Sequence, residues 1–553
     1  MEREFIAPGP GVWNLDTTHN AAAMTLYAGE CFQGLPRGFE YGCNRYGLMM
    51  KKIQPVLIHG FMYMQQEGLM GKPGGSPPPA FVLKIMGYIH PVIRKRARIA
   101  RESFAQRLWI EDLKHWDEMK QDSIARNTAL QSVDLSGLDD AGLIRHLQAC
   151  RENAEEMVYR HHIFSIGAMM PVGWLLDVAT RNSGLTAAEV APLLKGSTPV
   201  SVGIAATELA ELVARIRDAG ITAEALQAQS PEAALAQLRG TPDLAEALDA
   251  YLAVTGHMLI GGYCISEKTV QESPNVILAR IVQAFSPRAA EEFDKAMEQR
   301  IRNALPEADR DEFDRALADA RLINRMRDER GVYNDIWGAG ISRTAILEAG
   351  RRLQARGTLT DAGLALETSH EELIALMRGD ATVTSGELQE RLDWRMTKSI
   401  DDIPLALGDA AVPPPPFDLL PAGLRPTMRA LAAVMGNVFD SPEEPEANSI
   451  KGLPVSPGVY EGIAKVILTT RDFDKLEQGD VLVTKNTSAG FNVVLPLIGA
   501  IVTDRGGILS HAAIVSREYG IPGVIGTKNA TQEIPNGARV RVDGNKGEVT
   551  VLS

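Results

Sequence analysis

A stretch rich in proline and acidic residues divides this chain into two parts. Residues 413–416 are four consecutive prolines, which lack backbone N–H donors and hold an extended conformation. A short helical pattern over residues 427–438 separates them from residues 440–449, an acidic segment with little apolar character. Neither the proline run nor the acidic segment can contribute much to a buried core. We therefore predict three parts: residues 1–410, a linker over residues 411–449, and residues 450–553.

The two large parts differ in their sequence periodicity. Residues 1–400 have mostly helical patterns, and capping boxes such as Thr186 with Glu189 and Ser369 with Glu372 begin predicted helices. Residues 450–553 instead contain short strand-like runs between glycine turns and one helical run, 511–519. The predicted strands are 463–468, 480–484, 500–503, 540–542 and 549–552. The pattern predicts a large, mainly α-helical domain followed by a small α/β domain.

Composition and charge exclude several classes of function. The 553-residue chain is 45% hydrophobic and 23% charged, as is usual for globular proteins. Its net charge of −13 argues against binding to nucleic acid or to an anionic membrane. Residues 450–553 hold 11 basic and 10 acidic residues, so the acidity lies in the first 449 residues. No transmembrane run, signal peptide or C-x-x-C pair is evident, which predicts a cytoplasmic protein without a cysteine zinc site.

The segment from residue 503 to residue 526 carries the strongest chemical signal. A predicted strand leads into Gly506 and Gly507, and His511 begins the next helix. Glycines allow a sharp turn with bare amides, and a helix N-terminus favours an anion. Neutral imidazole is a nucleophile near pH 7, because its unperturbed pKa is about 6.5. We therefore expect His511 to carry a phosphoryl group cradled by Gly506, Gly507 and Ser510, although a lone histidine at a helix start is more often a cap or surface residue.

Further motifs decide between these readings of His511. They are GLPVSPG at 452–458, GDVLV at 479–483 and VDG at 542–544. Residues 450–553 thereby resemble the phosphohistidine swivelling domain of phosphoenolpyruvate-utilising enzymes, and the resemblance implies that His511 is a phosphoryl carrier. Leu509 and Ala489 depart from the threonine and proline usual in pyruvate-specific members. The resemblance therefore favours a phosphotransferase whose acceptor is not pyruvate.

The first 400 residues resemble, more patchily, the acceptor domain of rifampicin phosphotransferase-like proteins and the large subunit of phenylphosphate synthase. The similar segments are 8–19 (PGPGVWNLDTTH), 193–196, 251–257, 272–274, Arg343 and 350–353. Neither an ATP-grasp pattern nor a (β/α)₈ barrel is evident. The resemblance implies that ATP and Mg²⁺ are bound by a separate ATP-grasp subunit. ATP would be cleaved to AMP and phosphate while His511 is phosphorylated.

Transfer to a hydroxyl requires a base for its proton and cations for the phosphoryl oxygens. The candidate bases are His257, and His19 with Asp16 nearby. The candidate cations are Arg343, which would help cradle the phosphate, and Arg325. An ordinary structural role remains open for each histidine, and arginines on helices are usually solvated.

Aromatic and methionine side chains suggest a pocket for an aromatic ring. The candidates are Trp13, Phe164, Met169 and Trp174. At helical spacing, however, such residues more often form an ordinary core. The adjacent residues His161 and His162 should point apart on a helix, so we expect no metal bound by this chain alone.

The sequence thus predicts a subunit of an ATP-dependent phosphotransferase that passes the phosphoryl group from His511 to a small aromatic hydroxyl such as phenol. The product would be an aryl phosphate. One alternative acceptor is a larger hydroxylated natural product, such as an antibiotic. Another alternative is a non-catalytic phosphocarrier that regulates a partner. The large N-terminal part counts against that last alternative, because a pure carrier needs only residues 450–553.

Overall fold

The fold is described from a computed structural model. The residues described are 3–17, 19, 22–69, 80–198, 205–286, 293–380, 383–410, 416–439, 450–468, 470–488, 491–492 and 494–552. The chain is mainly helical up to residue 439, and residues 450–552 form an α/β unit. This division agrees with the predicted fold class.

The helices of the first part, numbered in chain order, are α1 (Leu26–Cys31), α2 (Gly34–Tyr46), α3 (Ala80–Ile89), α4 (Pro91–Gln106), α5 (Leu108–Gln131), α6 (Asp140–Ile163), α7 (Ser165–Thr180), α8 (Ala187–Val190), α9 (Ala206–Asp218), α10 (Ala223–Gln227), α11 (Pro231–Arg239), α12 (Pro242–Thr255), α13 (Pro274–Ala284), α14 (Lys295–Ala304), α15 (Glu307–Arg330), α16 (Trp337–Ala355), α17 (His370–Arg378), α18 (Ser385–Thr397) and α19 (Arg425–Phe439). Both predicted capping boxes are confirmed, at the starts of α8 and α17.

Helices α15 and α16 form one continuous helix that is interrupted by a π-helical turn. Residues Gly331–Ile336 join them as a π-helix. A π-helical turn inserts an extra residue into the helix and is frequent at functional sites. It changes which side chains face the neighbouring helix, α6, and one of these is Asp335.

Helices α6 and α7 form the apolar spine of the molecule. Residues 140–180 are long and apolar enough to cross a membrane by length and composition alone. However, 78% of the most apolar window is buried inside the protein. Burial by neighbouring protein rather than lipid is the pattern of a core helix.

A small antiparallel sheet near the N-terminus was not predicted. Its strands are β1 (Val12–Leu15), β2 (Met50–Ile58), β3 (Phe61–Gly68) and β4 (Ala406–Gly408), in the order β2-β3-β1-β4. His59 and Gly60 form the two-residue turn of the β2–β3 hairpin, and both have positive φ, of 51° and 90°. Such a turn suits the twist of a hairpin, so this dipeptide was the missed signal.

The α/β unit is a mixed eight-stranded sheet. Its strands are β5 (Ile450–Lys451), β6 (Leu453–Ser456), β7 (Val459–Val466), β8 (Asp480–Thr484), β9 (Ile498–Thr503), β10 (Gly523–Ile525), β11 (Arg539–Asp543) and β12 (Glu548–Val551), and its helices are α20 (His511–Tyr519) and α21 (Ala530–Glu533). The order is β5-β12-β11-β7-β8-β9-β10-β6, with β7 to β10 parallel. The five predicted strands and the helix over 511–519 are confirmed; the short strands β5, β6 and β10 were missed.

The central strands of this sheet are buried on both faces. In β8, Val481 and Val483 belong to an apolar cluster within the α/β unit. Leu482, on the opposite face, belongs to the main cluster, which extends into the helical part. This alternation follows the two-residue period of a strand. The α/β unit therefore packs against the helices through one face of its sheet.

Helix α19 is part of the helical body rather than of a linker. A Cβ atom built on Gly173 of α7 would lie only 1.9 Å from the carbonyl oxygen of Ala430 in α19. The helix was correctly predicted, but its place in a linker is wrong, because it packs tightly on α7. Residues 411–415 and 440–449 lie outside the described residues, so their role as linkers stays a prediction.

Replacement of Gly173 by alanine tests this close approach. We expect Gly173→Ala to lower the free energy of unfolding by about 1–3 kcal/mol through overpacking against α19. Gly386 in α18 is the matched control, since the nearest atom to its added Cβ would be 3.9 Å away. Thermal denaturation should show a clear loss for Gly173→Ala and little change for Gly386→Ala. Equal melting temperatures for the two variants would contradict this packing.

Candidate active site

His511 lies at the carboxyl edge of the parallel strands. Strands β8 and β9 are paired in register up to Thr484 and Thr503, so the loops that follow them emerge side by side. The first loop carries Thr487, and the second leads to His511 at the start of α20. In open α/β sheets, this edge is where ligands bind.

Both nitrogens of the His511 ring are held by neighbouring side chains. Nδ1 lies 2.9 Å from Oγ1 of Thr487, and Nε2 lies 2.9 Å from Oδ1 of Asn492. An amide oxygen only accepts hydrogen bonds, so in this arrangement Nε2 carries the proton and Nδ1 accepts from the threonine. Rotation of the Asn492 amide and the Thr487 hydroxyl would allow the opposite tautomer.

Burial lowers the pKa of His511 to about 3. The ring is therefore neutral throughout the physiological pH range. A neutral ring keeps the lone pair that attacks phosphorus, so the site is suited to a nucleophilic histidine.

The glycine turn before His511 differs in part from the predicted phosphate cradle. Gly506 has a φ of 117°, and a Cβ there would lie 2.8 Å from Oγ of Ser510. The amide of Gly507 is not bare, because it donates to the carbonyl of Val438 at the end of α19. The hydroxyl of Ser510 is buried and has no hydrogen-bond partner among the described residues. Among the residues of the predicted cradle, Ser510 thus has a side-chain hydroxyl that is available to bind a phosphate.

The α/β unit is docked on the helical part around this histidine. The two residues that flank Thr487 both make cross-contacts, since Ser488 donates to the carbonyl of Gly261 and Asn486 to that of Thr17. These contacts bring the loop beside His511 to the segments that carry His19 and Tyr263. Further cross-contacts are Lys485 and Arg505 with Asp401, Glu518 with the amide of Gly196, and Arg327 with the carbonyl of Leu509.

His19 and Asp16 form a hydrogen-bonded pair on the helical side of this interface. Nδ1 of His19 lies 2.8 Å from Oδ2 of Asp16, and the imidazole is 46% exposed. Burial opposes the charged imidazole, but the Asp16 carboxylate outweighs it, so the pKa of His19 is raised above its ordinary value. The ring also contacts the Tyr263 ring, with centroids 5.7 Å apart. His19 is thus accessible at this interface, as a basic group held by a carboxylate.

A second histidine–carboxylate pair lies beside it and is buried. Nδ1 of His161 is 2.6 Å from Oδ2 of Asp335, which the π-helical turn carries. Burial lowers the pKa of His161 and raises that of Asp335. His162 stacks on His161 with ring centroids 4.5 Å apart, although adjacent helical residues were expected to point apart. That expectation was wrong because the two residues lie in the last turn of α6, and their rings are parallel within 25°.

Three of the predicted polar site residues have other partners in the structure. Arg343 is buried and binds Glu272 through two nitrogens at 2.8 and 2.9 Å. Arg325 pairs with Asp117 and Glu329. The third residue, His257, lies 3.1 Å from the hydroxyl of a threonine and lines a separate cavity of about 640 Å³ between α5, α11, α12 and α13.

The predicted aromatic pocket is core. Phe164 is 1% exposed and packs edge-on against Trp116. Trp174 donates to Glu312, and Met169 packs between the two main clusters. Trp13 is buried in the small N-terminal sheet. Phe164 and Trp13 are thus core residues, and Met169 and Trp174 are partly buried against the core.

Four site residues escaped the sequence analysis. Thr487 and Asn492 were hidden because their loops meet His511 only once parallel strands pair. Asp335 was hidden by the π-helical turn, which an ordinary helical period does not predict. Tyr263 follows His257 closely in the sequence, but its contact with His19 joins distant segments and was not predicted.

The neutral state of His511 can be tested by NMR titration of histidine-labelled protein. The resonance that disappears in His511→Asn should show no titration between pH 5 and pH 9, because its pKa lies near 3. In the unfolded chain, histidines should titrate near pH 6.5. A midpoint near 6.5 for His511 in the folded protein would contradict the burial described.

Comparison with known proteins agrees with this geometry. Residues 476–547 match the mobile domain of PEP-utilising enzymes, and residues 160–329 match the fourth domain of rifampicin phosphotransferase. A rifampicin phosphotransferase of Streptomyces sviceus is 28% identical over 58% of this chain and 36% of its own length. An uncharacterised phosphotransferase of Bacillus subtilis is 32% identical over 47% of this chain and 31% of its own length.

The identity is higher over a shorter stretch of the chain. A phosphoenolpyruvate synthase of Aeropyrum pernix is 50% identical over 18% of this chain and 12% of its own length. The chain spans about a third or less of the length of these relatives. The chain is thus similar, over these two segments, to the mobile domain of PEP-utilising enzymes and to the fourth domain of rifampicin phosphotransferase.

Proposed function

We propose that this chain is the acceptor and carrier part of a phosphotransferase. His511 takes a phosphoryl group and, in the docked arrangement, passes it to a hydroxyl bound beside His19. The observation that carries this proposal is the position of His511, a neutral and half-buried imidazole, at the contact between the α/β unit and the helical part.

The residues around His511 fit a phosphoryl group. The unpartnered hydroxyl of Ser510 and the first amides of α20 are donors for an anion next to the ring. Thr487 and Asn492 orient the imidazole. ATP with Mg²⁺, bound on a separate ATP-grasp subunit, would supply the phosphoryl group.

The transfer step uses His19 as the base. The acceptor oxygen attacks phosphorus while its proton passes to His19, which Asp16 makes more basic. The P–N bond breaks, and its electron pair returns to the imidazole of His511. Proximity supplies much of the catalysis, because phosphoryl transfer depends mainly on positioning and charge stabilisation.

The acceptor is an aromatic hydroxyl, either a small phenol or a larger hydroxylated natural product. The proposal of phenol as acceptor rests on the resemblance to phenylphosphate synthase, and none of the comparisons supports it further. The relatives named rifampicin phosphotransferase favour the larger acceptor. Rifampicin and phenol are therefore the two probes to compare.

Labelling of the chain tests the carrier role without a partner. Phosphoramidate should add one acid-labile phosphate to the wild type and none to His511→Asn. Thr487→Val should be labelled about three- to tenfold more slowly, as expected for one lost hydrogen bond. Thr550→Val, at an exposed position of β12, is the matched control and should behave like the wild type. Undiminished labelling of His511→Asn would rule out this carrier, and labelling of the isolated chain by ATP would rule out the separate ATP-grasp subunit.

Discharge of the labelled chain tests the acceptor site. With rifampicin or phenol, His19→Asn should lose phosphate at least 100-fold more slowly than the wild type, as is typical when a general base is removed. His257→Asn is the control, because that residue lies in a separate cavity, and it should discharge within twofold of the wild type. Equal rates for the two variants would contradict the role of His19.

A further inference from the structure

Two histidines, one buried and one half-buried, form a cluster with a buried carboxylate close to His19. One ligand atom from each of His161, His162 and Asp335 lies within 4.8 Å of the other two. His161 and Asp335 are 9% and 6% exposed. Carrier chemistry at His511 does not require this cluster. The cluster does, however, bring together the residue types that bind first-row metals.

The carboxylate has unused binding capacity. Oδ2 of Asp335 contacts His161, whereas Oδ1 is buried and has no hydrogen-bond partner among the described residues. Burial of an unpaired carboxylate oxygen is costly, so it points to a missing ligand. The side chain of the neighbouring Asn334 is buried and also has no such partner.

The chain itself builds the cluster. The π-helical turn between α15 and α16 places Asp335 opposite the end of α6, where both histidines lie. A regular helix over the same residues would rotate the positions after the turn to other faces. The turn is thus the feature that brings the carboxylate to the imidazoles.

Both cations and carboxylates surround the cluster. Arg330 is the cation that contacts it, and one nitrogen of that guanidinium binds the carbonyl of His161 and the hydroxyl of Ser165. Its charge therefore lies on the backbone side of His161. The carboxylates of Asp328 and Asp335 both influence Arg330, and Asp16 lies beside His19.

We propose that His161, His162 and Asp335 bind one divalent zinc ion. Two imidazoles and one carboxylate provide three protein ligands, the set of a zinc site that keeps a position open for substrate.

The role of this ion rests on the function proposed above. The acceptor hydroxyl would take the open position, and the cation would lower the pKa of that hydroxyl. The hydroxyl proton passes to His19, the oxygen forms a bond to phosphorus, and the electron pair of the broken P–N bond returns to His511. The reaction therefore balances without any oxidant or additional reactant.

Zinc binding can be measured independently of phosphoryl transfer by using the His511→Asn chain. After treatment with a chelator, titration calorimetry with Zn²⁺ should give one site per chain. His161→Ala and Asp335→Asn should each weaken that site at least tenfold. His146→Ala is the matched control, a buried histidine on the same helix outside the cluster, and it should bind as the parent chain does.

Substitution of Co²⁺ identifies the ligands, since its visible spectrum reports coordination by nitrogen and oxygen. The parent chain and His146→Ala should give the same bound-cobalt spectrum, and Asp335→Asn should lose or change it. If a variant fails to fold, anomalous scattering from zinc-soaked crystals of the parent chain locates the ion instead. No zinc binding, or zinc only at other residues, would overturn the proposal. Loss of phosphoryl transfer with zinc still bound would overturn only the proposed function.

Discussion

The contact between the glycine turn and helix α19 underlies the arrangement of the whole site. The last carbonyls of a helix lack partners within the helix. Here the amides of Gly507 and Leu509 donate to the carbonyls of Val438 and Asn437. The loop that leads to His511 therefore caps α19, and α19 is in turn packed tightly on α7 through Gly173. This chain of contacts fixes His511 against the helical part.

The same contact bears on the two steps of the proposed function. In the docked arrangement, amides of the His511 loop donate to carbonyls of α19. In the adjacent loop after β8, Asn486 and Ser488 donate to the carbonyls of Thr17 and Gly261. A donor that phosphorylates His511 must reach a ring whose two nitrogens are already held. Release from α19 would free the Gly507 amide for a phosphate. Under the proposed function, docking and phosphorylation would thus compete for the same groups, as a mobile carrier requires.

The sequence predicted the parts of the fold that depend on local pattern. Strand β8 and helix α20 have strong local signals, and His511 was found because its glycine turn and helix start are adjacent in sequence. The small N-terminal sheet and the partners of His511 depend on contacts between distant segments. Phe164 and Trp174 were candidates for a pocket because an apolar helix face looks the same in either role. The position of Asp335 could not be predicted, because it depends on a π-helical turn that a regular helical period does not reveal.

The most direct test of the account is to lock the docked arrangement. Lys485 and Asp401 form an ion pair across the contact, and the four native cysteines are buried, so Lys485→Cys with Asp401→Cys provides a selective cross-linking pair. The chain would be phosphorylated first, then cross-linked and offered rifampicin or phenol. The locked chain should transfer its phosphate once, and its donor should not phosphorylate it again until the cross-link is cleaved. A locked chain that is phosphorylated normally but cannot transfer would contradict this expectation.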